Sequence, residues 1–442
     1  MKIVLRILLV SMIVLGFMTA SMNAMLQSVL AAPANCADSL SSSTLYTVRV
    51  CITSPGNGAT LSTNATITGT ASVLSGPNPG VQRMIFYLNT TYLLIAFAAP
   101  YTFTLPTSKY VDGSYTLSAQ ALMRDGFTTS QASISIHLST GTHSPPLNTN
   151  TFSPTSGRPA GGQPFVVAAV GDGASGENYS KNVVNLINSL NPNLFLYLGD
   201  VYDSGSLAEF YNWYGTGTAN FASLRATTDP TIGNHEYGNG IVGAGYFDYW
   251  DNVPNYYSFD AGGWHFVSLN SNQTRIDITS SGAEYKWLAK DLSANLQPCT
   301  IVFYHQPLFN IGPEGATTAL APIWSLLSQH RVSIVLNGHD HDYQRWLALD
   351  GNGQPSPTGI TEFVAGGGGH GLQTIASSDS RVAYWTDTNP AGFGALFLTL
   401  NPTNASFSYR SALNGSVLDS GMINCKGLNL PLPAIYLPII FR

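Results

Sequence analysis

The sequence predicts two folded units of different class: a small all-β sandwich, then a larger mixed α/β (α+β) unit, joined by a linker. Three observations carry this. Residues 45–139 alternate apolar and polar side chains with period two between regular turn signals. Residues 141–163 are chiefly Gly, Pro, Ser, Thr and Asn, the composition of a linker. From Pro164 onward, buried-type strands alternate with helical stretches. The composition agrees. Only 10% of the 442 residues are charged, with 43 glycines and 25 prolines, against roughly 25% charged in an average soluble domain. A coiled coil or helical array needs more Glu, Lys and Arg than this. A charged disordered chain needs fewer apolar residues than 44%. A net charge of −6 excludes a basic nucleic-acid-binding surface.

The N-terminus reads as an export signal over residues 1–34. Lys2 and Arg6 precede an apolar run from Ile7 to Met18, too short for a spanning helix, and small residues between Ala31 and Ala34 offer a cleavage site. An uncleaved anchor is the alternative. Pro33 and Asn35 before Cys36 argue against a lipoprotein site. Removing the signal leaves 16 basic against 24 acidic residues, and no spanning segment. Four cysteines in an exported chain predict two disulfides, Cys36–Cys51 and Cys299–Cys425, with free buried thiols as the alternative.

Strands in the first unit are predicted at 48–52, 65–71, 81–88, 114–123 and 133–138. The stretches Ile52-Thr53-Ser54-Pro55, Ala99-Pro100-Tyr101-Thr102-Phe103 and Asp112-Gly113-Ser114-Tyr115-Thr116-Leu117 resemble bacterial immunoglobulin-like accessory domains, implying such a sandwich over 35–140. It contains no clustered His, Asp or Glu, so no chemistry is assigned to it.

In the second unit, strands are predicted at 165–170, 194–198, 265–269, 301–304 and 332–336, and helices around Val183–Leu190, over 282–293 and over 316–329. Metal-ligand side chains recur just past the strand ends. They are Gly171-Asp172, Gly199-Asp200-Val201-Tyr202-Asp203, Gly233-Asn234-His235-Glu236, His305 and Gly338-His339-Asp340-His341. Each preceding glycine is expected to turn the chain sharply and aim the next side chain at a shared point. Carboxylate, amide and imidazole donors together suit Zn, Mn or Fe.

This ordered set resembles the calcineurin-like metallophosphoesterase superfamily, and within it the purple acid phosphatases, over about residues 164–426. The resemblance implies a four-layer αββα sandwich and two divalent or trivalent transition-metal ions (Fe, Zn or Mn). Asp200 would bridge them, with Asp172 and His341 on the first ion and Asn234, His305 and His339 on the second. It implies hydrolysis of a small phosphate monoester by in-line attack of metal-bound hydroxide. His235 would bind the phosphoryl group or protonate the leaving alkoxide.

Three departures stand out. Ala174 replaces the histidine of the superfamily's first motif. Purple acid phosphatases use a tyrosine three residues after the bridging Asp, whereas Tyr202 lies two after Asp200. Tyr202 is therefore either a ligand, favouring iron(III), or a packing aromatic. Second, Ser204 replaces the phosphate-clamping arginine of protein phosphatases. Third, the stretch after His305 lacks the paired substrate histidines of the plant enzymes.

His370, after a run of glycines, either touches substrate or is an ordinary loop histidine. His265 reads as structural, and Tyr343 and Arg345 as braces for the Gly-His-Asp-His loop. The proline-rich apolar tail, 427–442, is a sorting tag or a docked segment. The expectation is a secreted or cell-surface phosphatase, with cell-surface or polymer contact through the immunoglobulin-like unit left open. The alternatives are a phosphodiesterase or nucleotide or lipid-headgroup hydrolase, and an adhesion protein with a vestigial metal site.

Overall fold

The computed structural model describes residues 32–41, 45–157 and 163–427. The expected signal lies almost wholly outside these residues, as does nearly all of the tail. Among the described residues no helix is long and apolar enough to cross a membrane.

The first unit is a sandwich of two sheets. One has four strands in the order Cys36–Leu40, Thr47–Ser54, Ala65–Ser75, Tyr101–Leu105. The other has five, in the order Ala59–Leu61, Ala132–Leu138, Gly113–Met123, Val81–Leu88, Thr91–Ala96. The period-two pattern acts as sheet geometry requires. Val48, Val50, Ile52, Leu117, Ala119 and Ala121 point inward and form one core with Met84 and Phe86. Thr91–Ala96 escapes the sequence reading because Tyr92 to Ala96 are all buried, so it lacks the alternation that marks a half-exposed strand. A disulfide joins Cys36 to Cys51 across paired strands.

The second unit stacks a six-stranded sheet on a seven-stranded one. The first runs Thr228–Pro230, Leu194–Tyr197, Phe165–Val170, Gly394–Leu400, Asn404–Ser411, Val417–Asn424. The second runs Tyr257–Ala261, Trp264–Ser268, Thr300–Phe303, Ile334–Asn337, Thr361–Ala365, Tyr343–Trp346, Val382–Thr386. Successive residues of the second sheet face opposite layers. Phe266, Phe303 and Leu336 join Leu396 and Leu398 between the sheets, whereas Val267, Val302 and Val335 join Leu288, Ile323 and Leu327 of the covering helices. The helix Asn178–Leu190 covers the first sheet through Val183 and Ile187, which completes the four layers. Cys299 and Cys425 are joined by the second disulfide.

Two expectations are corrected. The helix predicted over 316–329 is α-helical only at Ala321–Gln329, after a 3-10 turn at Thr318–Leu320. Pro322 is the reason, since proline lacks an N–H and fits only a first turn. The segment after residue 140 is irregular, as a linker should be, but its described residues are pinned to the second unit. Asn148 Nδ2 donates to the Asp248 carbonyl, Asn150 Nδ2 to Asp251 at 2.9 Å, and the Thr155 N–H to Asp229 at 3.1 Å.

Candidate metal centre

The predicted side chains follow the ends of strands from both sheets. Phe165–Val170 leads to Asp172, Leu194–Tyr197 to Asp200, and Thr228–Pro230 to Asn234 and His235. Thr300–Phe303 leads to His305, and Ile334–Asn337 to His339 and His341. The first three strands are parallel to one another, as are the last two, so carboxyl ends from both sheets open on one place.

Asp200, His305 and His339 each present a donor atom, all within 4.8 Å of one another. His305 Nε2 lies 3.0 Å from Asp200 Oδ2, 3.0 Å from Asn234 Oδ1 and 3.2 Å from His339 Nδ1. On the other side of Asp200, the Tyr202 hydroxyl lies 2.9 Å from Asp172 Oδ1, 2.8 Å from His341 Nε2 and 3.4 Å from Asp200 Oδ2. Tyr202 thus reaches the centre despite its displaced position in the sequence.

The turns are made differently from expectation. Among the glycines opening the motifs only Gly199 has a positive φ, 97°. Asp172 (61°), Asp200 (65°) and His339 (77°) adopt the left-handed conformation themselves. This costs about 1–2 kcal/mol per residue and is characteristic of functional sites. Gly233 is needed for room instead, because a Cβ there would stand 2.0 Å from Asp200 Oδ1.

The donor set fits transition-metal ions. A carbonyl only accepts, so the ring nitrogen facing it carries the proton. Nδ1–H of His305 donates to Leu198 at 2.7 Å, that of His341 to Gly371 at 2.9 Å, and that of His235 to Asp203 at 2.6 Å. This frees Nε2 of His305 and His341 to face the cluster, the way metal-binding imidazoles are oriented. Asp172 and Asp200 are fully buried, and no Lys or Arg pairs with either among the described residues. Buried carboxylates need compensating charge.

Burial pushes the Asp172 carboxyl well above the usual range, and the Asp200 charge adds to this. Burial also opposes ionisation of Asp200, but His305 and His235 outweigh it and hold that carboxyl far below. Burial opposes the His305 charge too, and Asp200 overrides it, raising the imidazole to about 10. Burial and the His305 charge depress His339 to about 3, and burial and His370 depress His341 to about 4, so both keep free lone pairs.

His235 is partly exposed, with Nε2 3.9 Å from Asp200 Oδ2 and its ring 4.5 Å from that of Tyr202. His370 sits on the rim. Its N–H donates to the Asp172 carbonyl at 3.0 Å, its ring is 4.0 Å from Tyr202, and Nδ1 pairs with Glu177. His265 lies between Asp260 at 2.8 Å and Asp291 at 2.9 Å, consistent with a structural role. Tyr343 and Arg345 both bind Asp419, so they brace strand Val417–Asn424 and not the Gly-His-Asp-His loop.

Sequence reasoning assigned Glu236 no role. Its buried carboxylate accepts the N–H groups of Val201 at 2.7 Å, Gly233 at 2.8 Å and Asp200 at 3.3 Å. The signal was a carboxylate inside the Gly-Asn-His-Glu motif that no metal role claimed. Glu177 lies outside every motif and had no signal.

Comparisons with known proteins bear on the fold that carries these residues. Residues 165–343 match the calcineurin-like phosphoesterase family, and residues 49–119 match the bacterial Ig domain family. The chain therefore carries a calcineurin-like metallophosphoesterase domain preceded by a bacterial immunoglobulin-like domain. Purple acid phosphatases are among its homologues. A stretch of 121 residues is 35% identical to purple acid phosphatase 23 of Arabidopsis thaliana, covering 26% of each chain. A stretch of 192 residues is 26% identical to a probable inactive purple acid phosphatase 9 of the same plant, covering 39% of this chain and 29% of the relative. The matches thus span between a quarter and a third of these relatives. A purple acid phosphatase from yellow lupin (Lupinus luteus) seeds shares the fold with a TM-score of 0.51 at 18% identity, over 87% of this chain and 80% of that one.

Proposed function

We propose that this chain is an exported phosphatase that hydrolyses small phosphate monoesters with two transition-metal ions. The observation that carries the proposal is the convergence of Asp200, His305 and His339 within 4.8 Å, with Tyr202, Asp172 and His341 on the other side of Asp200. Asp172, His341 and Tyr202 would hold one ion, Asn234, His305 and His339 the other, and Asp200 both. When bound, the ions supply positive charge to the phosphoryl oxygens and lower the pKa of water towards neutrality.

The chain's own residues do the rest. Glu236 fixes the backbone around Asp200 and Gly233 through three N–H bonds. His235 has Nδ1 tied to the Asp203 carbonyl, which leaves Nε2 to meet substrate. Burial opposes its charge, but Asp200 and the Asp203 carbonyl outweigh this and raise its pKa. A proton at Nε2 passes to the ester oxygen as water adds to phosphorus and the P–O bond breaks, giving phosphate and alcohol. The two disulfides support export.

A second reading is a phosphodiesterase. No Lys or Arg lies in the five motif segments, and Ser204 stands where protein phosphatases clamp phosphate with arginine. A singly charged diester needs less positive charge than a monoester dianion. Elemental analysis beside turnover of p-nitrophenyl phosphate and bis-p-nitrophenyl phosphate tests both. Monoester turnover with metal bound is expected. Faster diester turnover selects the second reading, and a protein that binds no transition metal sinks both.

A further inference from the structure

The immunoglobulin-like unit reaches the metal centre. Its edge strand Thr91–Ala96 is buried from Tyr92 onward, although an edge strand normally leaves a row of backbone groups open. The second unit covers it. The Tyr92 hydroxyl donates to Glu209, the Ile95 N–H donates to the same carboxylate at 3.4 Å, and the Ser206 hydroxyl donates to the Leu93 carbonyl. Thr104 and Asn212 exchange bonds of 2.8 and 2.9 Å alongside. Glu209 also takes the N–H groups of Asp203 at 2.5 Å and of Ser204 and Ser206 at 3.0 Å. The loop that follows Tyr202 is therefore fastened to the foreign strand.

The residue after that strand is Phe97. It is partly buried, with its ring centroid 5.1 Å from that of His370, whose own ring is 4.0 Å from Tyr202. Ala98, Ala99 and Pro100 beyond it are exposed. Tyr202 also contacts His235 at 4.5 Å, so His235, Tyr202, His370 and Phe97 form one continuous aromatic side of the centre. His235 marks it as the side from which the leaving group departs.

We infer that Phe97 forms the outer wall of the leaving-group subsite, so that the accessory domain makes the enzyme favour esters of aromatic alcohols over small aliphatic ones. This rests on the phosphoesterase reading above. A ring at the lip adds face-to-edge contact to a flat leaving group and little to a small polyol.

The test uses the full chain, wild type against Phe97→Ala and Phe97→Leu, with p-nitrophenyl phosphate, glycerol phosphate, and inorganic phosphate as inhibitor. Phe97→Ala is expected to raise the KM for the aryl ester roughly fivefold. The glycerol phosphate KM, the phosphate inhibition constant and both kcat values should hold. Equal KM changes for both esters, or none, overturn the assignment. If Phe97→Ala does not fold, Phe97→Leu must show the same split in KM or the assignment falls. A wild type that turns over neither ester sinks the phosphoesterase reading itself, a failure distinct from an unchanged KM ratio.

Discussion

The two units solve their interiors in opposite ways. The sandwich buries Ser39, Ser41, Thr107, Ser118 and Thr129 but no ionisable acid apart from tyrosine. The metallophosphoesterase domain buries Asp172, Asp200, Glu209, Asp229, Glu236, Glu284, Asp340, Asp342 and Glu362 among others. Only two of these belong to the proposed ligand set. Several of the rest accept loop N–H groups: Glu284 from Asn270, Glu362 from Leu308 and Phe309, Asp229 from Thr155. A sandwich of hairpins satisfies most of its backbone within its sheets. A domain whose chemistry lies on long loops holds those loops with carboxylates, at the cost of desolvating them.

The contrast can be broken most directly at the centre. Asp200→Asn is expected to lower kcat/KM by ~10³-fold, the loss typical of removing one key electrostatic contact. Metal content should fall with it, as elemental analysis would read. His235→Ala should lower kcat by ~10²-fold, the usual worth of a positioned acid, while metal content holds. In the sandwich, Leu117→Ala should destabilise by about 3 kcal/mol through the cavity it leaves, and the monoester KM should stay put. Glu236→Ala should cost about 2–3 kcal/mol by stranding loop N–H groups. Unlike Leu117→Ala it should also weaken metal retention, and equal retention in the two variants would dissolve the contrast.

The smallest effect is a pH slope. Burial raises Glu284 and Glu362 from 4.5 to about 8 and Glu209 to about 7. Between those values the folded chain holds protons that the unfolded chain has released. Their contribution is complete below about pH 4.5 and is lost as pH rises to 8. Urea midpoints should therefore fall from pH 5 to pH 8, and Glu284→Gln should flatten the slope.

The ligand candidates Asp172, Asp200, Asn234, His305, His339 and His341 were legible because each sits two to four residues past a buried strand, all but His305 in a segment that glycine opens. Asp172, Asn234 and His339 needed no long-range information. Tyr202 was ambiguous because spacing fixes the face of a side chain in a strand, and its loop is not one. Phe97, Glu177 and Glu209 were invisible for a different reason. Phe97 meets His370 across most of the chain, and the strand that delivers it is apolar on both faces, so periodicity gave no warning of it. Pro322 was in plain view, and its effect on the helix start could have been read. The disulfide pairing, Cys36–Cys51 and Cys299–Cys425, is the one the sequence predicted.

The strand that leads to Asp172 has one last consequence. Phe165–Val170 pairs on one side with Leu194–Tyr197, made soon after it, and on the other with Gly394–Leu400, made more than two hundred residues later. Non-local pairing of this kind slows folding, because loop closure must precede its reward. A chain emerging in order from N to C has the whole donor set in hand well before the sheet beneath Asp172 can close. The proposed ligand side chains are therefore all synthesised before Gly394–Leu400, the strand that completes the pairing of Phe165–Val170.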